Sequence, residues 1–187
     1  VMYAPTFRDS KDFSCYDINF GRVVAALTER FGGEWRIVLR YHPSMRKDYA
    51  KSPLRGAYKH CVIEATDVLD MQELIAITDV AITDYSSWIY DFMLMRKPGF
   101  IFATDIEEYN TERGFYYPIE STPFPIAVDN DELIDNILKF DETSYATNLE
   151  KFLEDKGCVE DGHAAERAVD LIYRILNGDE SSTLIGK

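Results

Sequence analysis

Short apolar runs alternate with longer helix-like segments along this 187-residue chain, and that alternation restricts the possible folds more than any other feature. Such an alternation is typical of a parallel sheet whose strands are joined by crossover helices. Most of the runs are short and β-branched, as expected of strands that are covered on both faces. The sequence therefore predicts an α/β fold, with strands over residues 1–4, 36–41, 61–65, 80–83, 99–102 and 126–128.

Helical spacing of apolar residues predicts the connecting elements. Three helices are expected between the strands, over residues 20–31, 70–77 and 86–95. After residue 128 the pattern becomes wholly helical, over residues 131–140, 143–153 and 162–176. We therefore expect one domain over residues 1–176, with a helical cap from about residue 130, followed by a flexible polar tail over residues 177–187.

Composition and charge exclude several classes of protein. With 46% apolar residues the chain can build a core, and its net charge of −13 disfavours binding to nucleic acid. Apolar runs are too short to span a bilayer and the first residues lack the pattern of a signal peptide, so we expect a soluble protein. Cys15, Cys61 and Cys158 are few and widely spaced, which favours a reducing cytoplasm over a disulfide framework or a metal site.

One stretch of the acidic chain is basic. Residues 36–60 contain seven Lys or Arg residues and one acid, Asp48. A solvated loop would explain that charge, but Arg40 and His42 directly follow a predicted strand, where parallel sheets bind their ligands. The stretch therefore also fits an anion site in which His42 donates a hydrogen bond or transfers a proton.

Hydroxyl side chains cluster where the fourth predicted strand meets the next helix. Thr83, Ser86 and Ser87 lie at this join, and free backbone N–H groups at a helix start favour phosphate. If these residues served only to cap the helix, a single serine would be sufficient. The glycine patterns of P-loop and dinucleotide-binding proteins are absent from the sequence. Asp91, one turn further on, is expected on an otherwise apolar helix face, where an unpaired carboxylate is costly. It therefore needs a partner, which could be Arg96, Arg113 or the hydroxyls of a bound ribose or polyol.

Four motifs occur in the order found in one enzyme family. They are YAPTFRD at 3–9, HP at 42–43, ITDYSS at 82–87 followed by DF at 91–92, and RGFY at 113–116. The chain resembles the CDP-glycerol glycerophosphotransferases, the primases and polymerases of teichoic acid synthesis. This resemblance implies a Rossmann-like parallel sheet with flanking helices, the C-terminal nucleotide-binding half of a GT-B transferase. It also implies an N-terminal half that precedes this chain and holds the general base, so that the fragment alone would be inactive.

The resemblance also implies roles for particular residues. His42 is expected at the diphosphate of the donor, CDP-glycerol or CDP-ribitol. Tyr41, before the HP pair, departs from the family's pattern, and Arg40 before it is the candidate for a positive charge there. Ser86 and Ser87, with Thr83 beside them, are expected at the phosphates, and Arg113 near the donor. The family transfers glycerol or ribitol phosphate to a membrane-linked polymer or primer, without a known metal or cofactor. The expected location is cytoplasmic, peripheral on the inner face of the bacterial membrane.

Two other functions fit the same sequence. The fold and the diphosphate site could belong to a GT-B glycosyltransferase that uses a sugar nucleotide. Alternatively, the domain could bind a nucleotide, or dock on anionic lipid through residues 46–59, without catalysis.

Overall fold

A computed structural model describes residues 1–8, 13–45, 47, 54, 58–115 and 117–178. The chain divides into two compact units, Val1–Phe152 and Leu153–Lys187. Most of the basic stretch between residues 46 and 57, and residues 179–187 of the expected tail, lie outside the described residues. The expectation of a single domain over residues 1–176 stays a prediction.

Six parallel strands form one sheet in the order β3-β2-β1-β4-β5-β6, which confirms the α/β fold. All six lie within the predicted runs, and most are one to three residues shorter than expected. Their bounds are β1 Met2–Tyr3, β2 Ile37–Leu39, β3 Val62–Glu64, β4 Ala81–Thr83, β5 Gly99–Phe102 and β6 Ile126–Ala127.

Seven α-helices have bounds that lie within the described residues. Those in the first unit are α1 Phe20–Phe31, α2 Met71–Ala76, α3 Trp88–Met93, α4 Ile106–Glu112 and α5 Asn130–Leu138. The long helix α6, Glu142–Asp155, runs across the boundary between the units, and α7, Ala164–Leu176, belongs to the second. In the part of the chain that the structure describes, no helix is long and apolar enough to cross a membrane.

Local sequence explains where several helices begin and end. Asn19 accepts a hydrogen bond from the backbone N–H of Arg22 and so starts α1, and Asp70 does the same for Gln72 at α2. Helix α1 ends at Gly32, which has a φ of 73°. These caps fix the two helices without help from the functional site.

The strand order reverses direction beside β1. The chain passes from β1 outward to β2 and β3, then returns to place β4 on the other side of β1. In open parallel sheets a crevice forms at this point, outside the carboxyl ends of the two central strands. Ligand binding is therefore expected at the loops that follow β1 and β4.

Candidate functional site

A buried carboxylate joins the loops after β1 and β4. Asp84 is 4% exposed, and its Oδ1 accepts hydrogen bonds from the backbone N–H groups of Thr6 at 2.7 Å and Tyr85 at 2.6 Å. Burial raises the pKa of Asp84, against the opposing effect of the nearby Arg8 guanidinium. Asp84 thus holds the two loops in a fixed relative position.

The carbonyl oxygen of Ala4 joins the same loops a second time. It accepts hydrogen bonds from the Thr83 hydroxyl at 2.7 Å and from the indole Nε1 of Trp88 at 2.9 Å. Thr83 is fully buried in β4 and does not line the pockets described below. Thr83 therefore lies beneath the loop that follows β4. From the sequence it was expected beside Ser86 and Ser87, at the phosphates.

Arg8 connects this pair of loops to the loop after β5. Its guanidinium donates two hydrogen bonds to Asp105, at 2.7 and 2.9 Å, and lies 2.9 Å from Asp84 Oδ2 without hydrogen-bond geometry. Burial acts to lower the pKa of Arg8, but the two carboxylates outweigh it and raise the pKa. The rings of Tyr85 and Tyr109 each lie about 5.1 Å from the same cation. A charged Arg8 therefore pins three loops at one edge of the sheet.

A polar pocket of about 440 Å³ opens at the reversal point above this network. Its walls come from the β1 loop, the β2 loop and the start of α3. The predicted site residues that line it are Arg40, His42, Ser86, Ser87 and Asp91. The structure thus brings together five of the seven residues that the sequence singled out.

His42 is exposed at the mouth of the polar pocket and has a fixed ring orientation. Its Nδ1 accepts the backbone N–H of Ser44 at 3.2 Å and lies 2.7 Å from the Ser44 hydroxyl. In the neutral ring the proton is therefore on Nε2, where it can be donated to a ligand. Partial burial, followed by the nearby charge of Arg40, lowers the pKa of His42 below 6.5.

Ser86 and Ser87 precede α3 but do not cap it. Helix α3 begins at Trp88, two residues later than predicted, and the side chain of the N-cap residue Ser87 makes no capping hydrogen bond. Ser86 is half-buried, Ser87 is exposed, and both line the polar pocket. Their hydroxyls are therefore available to a ligand.

Asp91 does not have the environment that the sequence suggested. It is exposed on α3, and its Oδ2 lies 3.4 Å from Gln72 Nε2. Arg96, one of the predicted partners, instead pairs with Glu150 at 2.6 Å. The expectation of a costly carboxylate on an apolar face was wrong, because α3 turns this side chain toward solvent and the pocket.

A second pocket, of about 410 Å³, lies on the β5 side of the Tyr85–Ser87 segment. We call it the aromatic pocket, because most of its lining is aromatic or aliphatic. Arg113, the remaining predicted residue, lines it. The guanidinium of Arg113 lies 4.8 Å from the centre of the Phe7 ring, and that ring lies 4.7 Å from the His42 ring. Phe7 therefore connects the two pockets.

The sequence reasoning missed Arg8, Asp105 and Phe7. Arg8 and Phe7 stand out only as part of the YAPTFRD motif, and Asp105 is separated from Arg8 by 97 residues. A buried Arg–Asp pair at that separation leaves no periodic signal. Placing Arg8 and Asp105 at the ends of strands β1 and β5, on one edge of a parallel sheet, could have suggested it.

The similarity to known proteins extends over nearly the whole chain. Residues 1–174 match the model of the family described as CDP-Glycerol:Poly(glycerophosphate) glycerophosphotransferase. The teichoic acid ribitol-phosphate primase of Bacillus spizizenii is 32% identical over 94% of this chain and 44% of its own length. The teichoic acid glycerol-phosphate transferase of Staphylococcus aureus is 31% identical over 93% of this chain and 45% of its own length.

Solved structures give the same result. A variant of the wall teichoic acid polymerase TagF superposes with a TM-score of 0.70 at 28% identity, over 96% of this chain and 44% of TagF. A TagF variant soaked with CDPG superposes with a TM-score of 0.64. The chain spans less than half the length of these relatives. Its sheet has the GT-B-like fold of TagF, and the chain belongs to the CDP-glycerol:poly(glycerophosphate) glycerophosphotransferase family.

Proposed function

We propose that this chain binds a CDP-alditol donor for transfer of glycerol phosphate or ribitol phosphate to a polymer or primer, in the synthesis of a teichoic-acid-like cell-wall polymer. The observation that carries the proposal is the polar pocket at the strand reversal, where two serine hydroxyls that cap no helix lie with Arg40 and His42. Hydroxyls and cations together suit a diphosphate. Relatives named for both alditol phosphates support this class of donor over a sugar nucleotide.

In the proposed complex, Ser86 and Ser87 donate hydrogen bonds to the diphosphate. His42 donates its Nε2 proton to a phosphoryl oxygen, and Arg40 offsets the negative charge nearby. Asp91 accepts hydrogen bonds from ribose or alditol hydroxyls on the α3 side of the pocket. Thr83 acts indirectly, by holding the loop to Ala4.

The proposed reaction is a displacement at the β-phosphorus. An acceptor oxygen forms the new P–O bond, the bond to the leaving phosphate breaks, and CMP departs. The residues of the polar pocket stabilise the charge that develops on the phosphoryl and leaving groups. Removal of the proton from the acceptor hydroxyl is assigned to a preceding half of the protein, because the resemblance places the general base there.

We also propose that the acceptor is membrane-linked and that the protein reaches it as a peripheral protein on the inner face of the membrane. Residues 46–59 of the basic stretch provide positive charge for anionic lipid. Co-sedimentation with vesicles tests this part: binding should require anionic lipid and decrease at high salt. Equal binding to neutral vesicles would contradict it.

A ligand competition tests the donor assignment. The 187-residue chain is titrated with CDP-glycerol, CDP-ribitol and UDP-glucose in a calorimeter, and release of CMP is followed separately. We expect one or both CDP-alditols to bind more tightly than UDP-glucose, with no turnover by this chain alone. Tighter binding of UDP-glucose would support the glycosyltransferase alternative, and robust turnover would refute the assignment of the base to a preceding half.

A further inference from the structure

The aromatic pocket has a different chemistry from the polar pocket. Its described lining consists mainly of ring and branched aliphatic side chains: Tyr85, Tyr90, Tyr109, Phe115, Ile89 and Ile119. Arg113 contributes a cation, whereas the charge of Asp84 at the base of the pocket is offset by Arg8. Such a lining suits an anion attached to a carbon chain.

The aromatic rings are arranged against one another and leave no slot for a nucleobase between them. Tyr85 and Tyr109 stack with their centres 3.9 Å apart, and the centres of Tyr109 and Phe115 are 5.6 Å apart. A base inserted between two rings needs them about 7 Å apart, twice the usual contact distance between carbon atoms. The pocket therefore presents edges and outer faces of rings, against which the carbons of a polyol can pack.

The position of the pocket relates it to the diphosphate. Tyr85, Ser86 and Ser87 line both pockets, so they form the wall between them. If a diphosphate is bound at the serines and its nucleoside lies toward Asp91, the opposite side of the phosphates faces the aromatic pocket. Phe7 also contacts a residue of each pocket, the His42 ring in the polar pocket and the Arg113 guanidinium in the aromatic pocket.

We propose that the aromatic pocket is a subsite for an alditol phosphate unit, with Arg113 bound to the phosphate and the rings packed against the polyol carbons. This inference rests on the proposed function and adds to it the place where an alditol phosphate unit binds. The unit could be the alditol phosphate of the donor or the terminal unit of the acceptor. Both have the same chemistry, and an experiment can separate them.

The test uses the full-length protein that contains this chain, with Arg113→Ala and a matched control, Arg22→Ala. Arg22 is a surface arginine that pairs with Asp131 and lines neither pocket. For each protein we measure the Kd of CMP, the Kd of CDP-glycerol and the KM of a glycerol phosphate acceptor. Because Arg113 is exposed, the variant should remain folded, which circular dichroism checks.

If the unit belongs to the donor, Arg113→Ala should weaken CDP-glycerol about tenfold to a hundredfold and leave CMP unchanged. If it belongs to the acceptor, the Kd values of CMP and CDP-glycerol should both stay unchanged while the acceptor KM rises by a similar factor. Either result supports the subsite. An equal loss of CMP and CDP-glycerol affinity would overturn it, since the nucleotide would then occupy the pocket, and so would no change in any constant.

Failure of the proposed function has a separate signature. An NMR titration of the wild-type protein with sn-glycerol 3-phosphate measures the affinity of the subsite in the absence of a nucleotide. Binding that Arg113→Ala abolishes, in a protein that binds no CDP-glycerol, would retain the subsite and refute the donor assignment. Binding of CDP-glycerol with no dependence on Arg113 in any measurement would retain the donor assignment and refute the subsite.

Discussion

Replacing Ser86 and Ser87 together with alanine separates a phosphate site from a helix cap. Each hydrogen bond from a serine hydroxyl to a charged phosphate oxygen contributes about 1.5–3 kcal/mol, so losing two costs about 3–6 kcal/mol. We expect the lower end, because Ser87 is exposed and water can partly replace its hydroxyl. The donor Kd should therefore rise about a hundredfold, at 1.4 kcal/mol for each factor of ten.

The same double variant should fold with almost unchanged stability. Ser87 makes no side-chain cap to α3, and substitutions at such surface positions usually change stability by less than about 0.5 kcal/mol. Asp129→Ala is the matched control, since Asp129 caps α5 through the backbone N–H of Glu132. That variant should lose about 1 kcal/mol and keep its donor affinity.

Calorimetry of donor binding and thermal unfolding on the same preparations decides the question. A cap loss of about 1 kcal/mol corresponds to a fall of about 2–4 °C in Tm for a chain of this size. Unchanged donor affinity in a folded Ser86→Ala/Ser87→Ala variant would refute the phosphate site. The diphosphate would then have to be held by His42 and the basic stretch without the serines.

Three further predictions concern His42 and the buried ion network. His42→Ala in the full-length protein should reduce transfer about a hundredfold or more. Its Tm should change little, because the residue is exposed. Parallel losses of activity and Tm would indicate a structural role. In the free chain an NMR titration should give His42 a pKa below 6.5. CDP should raise that pKa because an anion favours the imidazolium, so CDP affinity should increase as the pH falls. A pKa of His42 that is insensitive to CDP would contradict this prediction. Arg8→Met leaves Asp84 buried without its cation and should cost about 3–5 kcal/mol in urea unfolding at pH 7. That loss should shrink as the pH falls through the raised pKa of Asp84 and the carboxyl protonates, whereas a loss below about 1 kcal/mol at pH 7 would refute the network.

Sequence periodicity was sufficient where burial decides the structure. Helix α1 and strand β5 have the predicted bounds, because an apolar stripe and a fully buried run each leave a clear pattern. Helix α4, Ile106–Glu112, was not predicted, since it has no buried residues and its sequence is polar. Its Tyr109 stacks on Tyr85, and such a contact between distant residues has no local signature.

The candidate site was predictable in its residue types but not in its arrangement. The fold places His42 and the serine pair at neighbouring strand ends, as expected for a parallel sheet. The buried position of Thr83 and the exposed position of Asp91 depend on where β4 ends and on the short length of α3. These boundaries are set by tertiary contacts, such as the Ala4 carbonyl bonded to Thr83 and Trp88, which sequence spacing does not encode.

A crystal structure of this chain with CDP-glycerol would test the central claim most directly. The measured quantity is the distance from the diphosphate oxygens to the hydroxyls of Ser86 and Ser87 and to Nε2 of His42. We predict hydrogen-bond distances of about 2.7–3.2 Å to at least one serine and to His42. A nucleotide bound elsewhere, or in the aromatic pocket with its phosphates away from both serines, would contradict the proposed site.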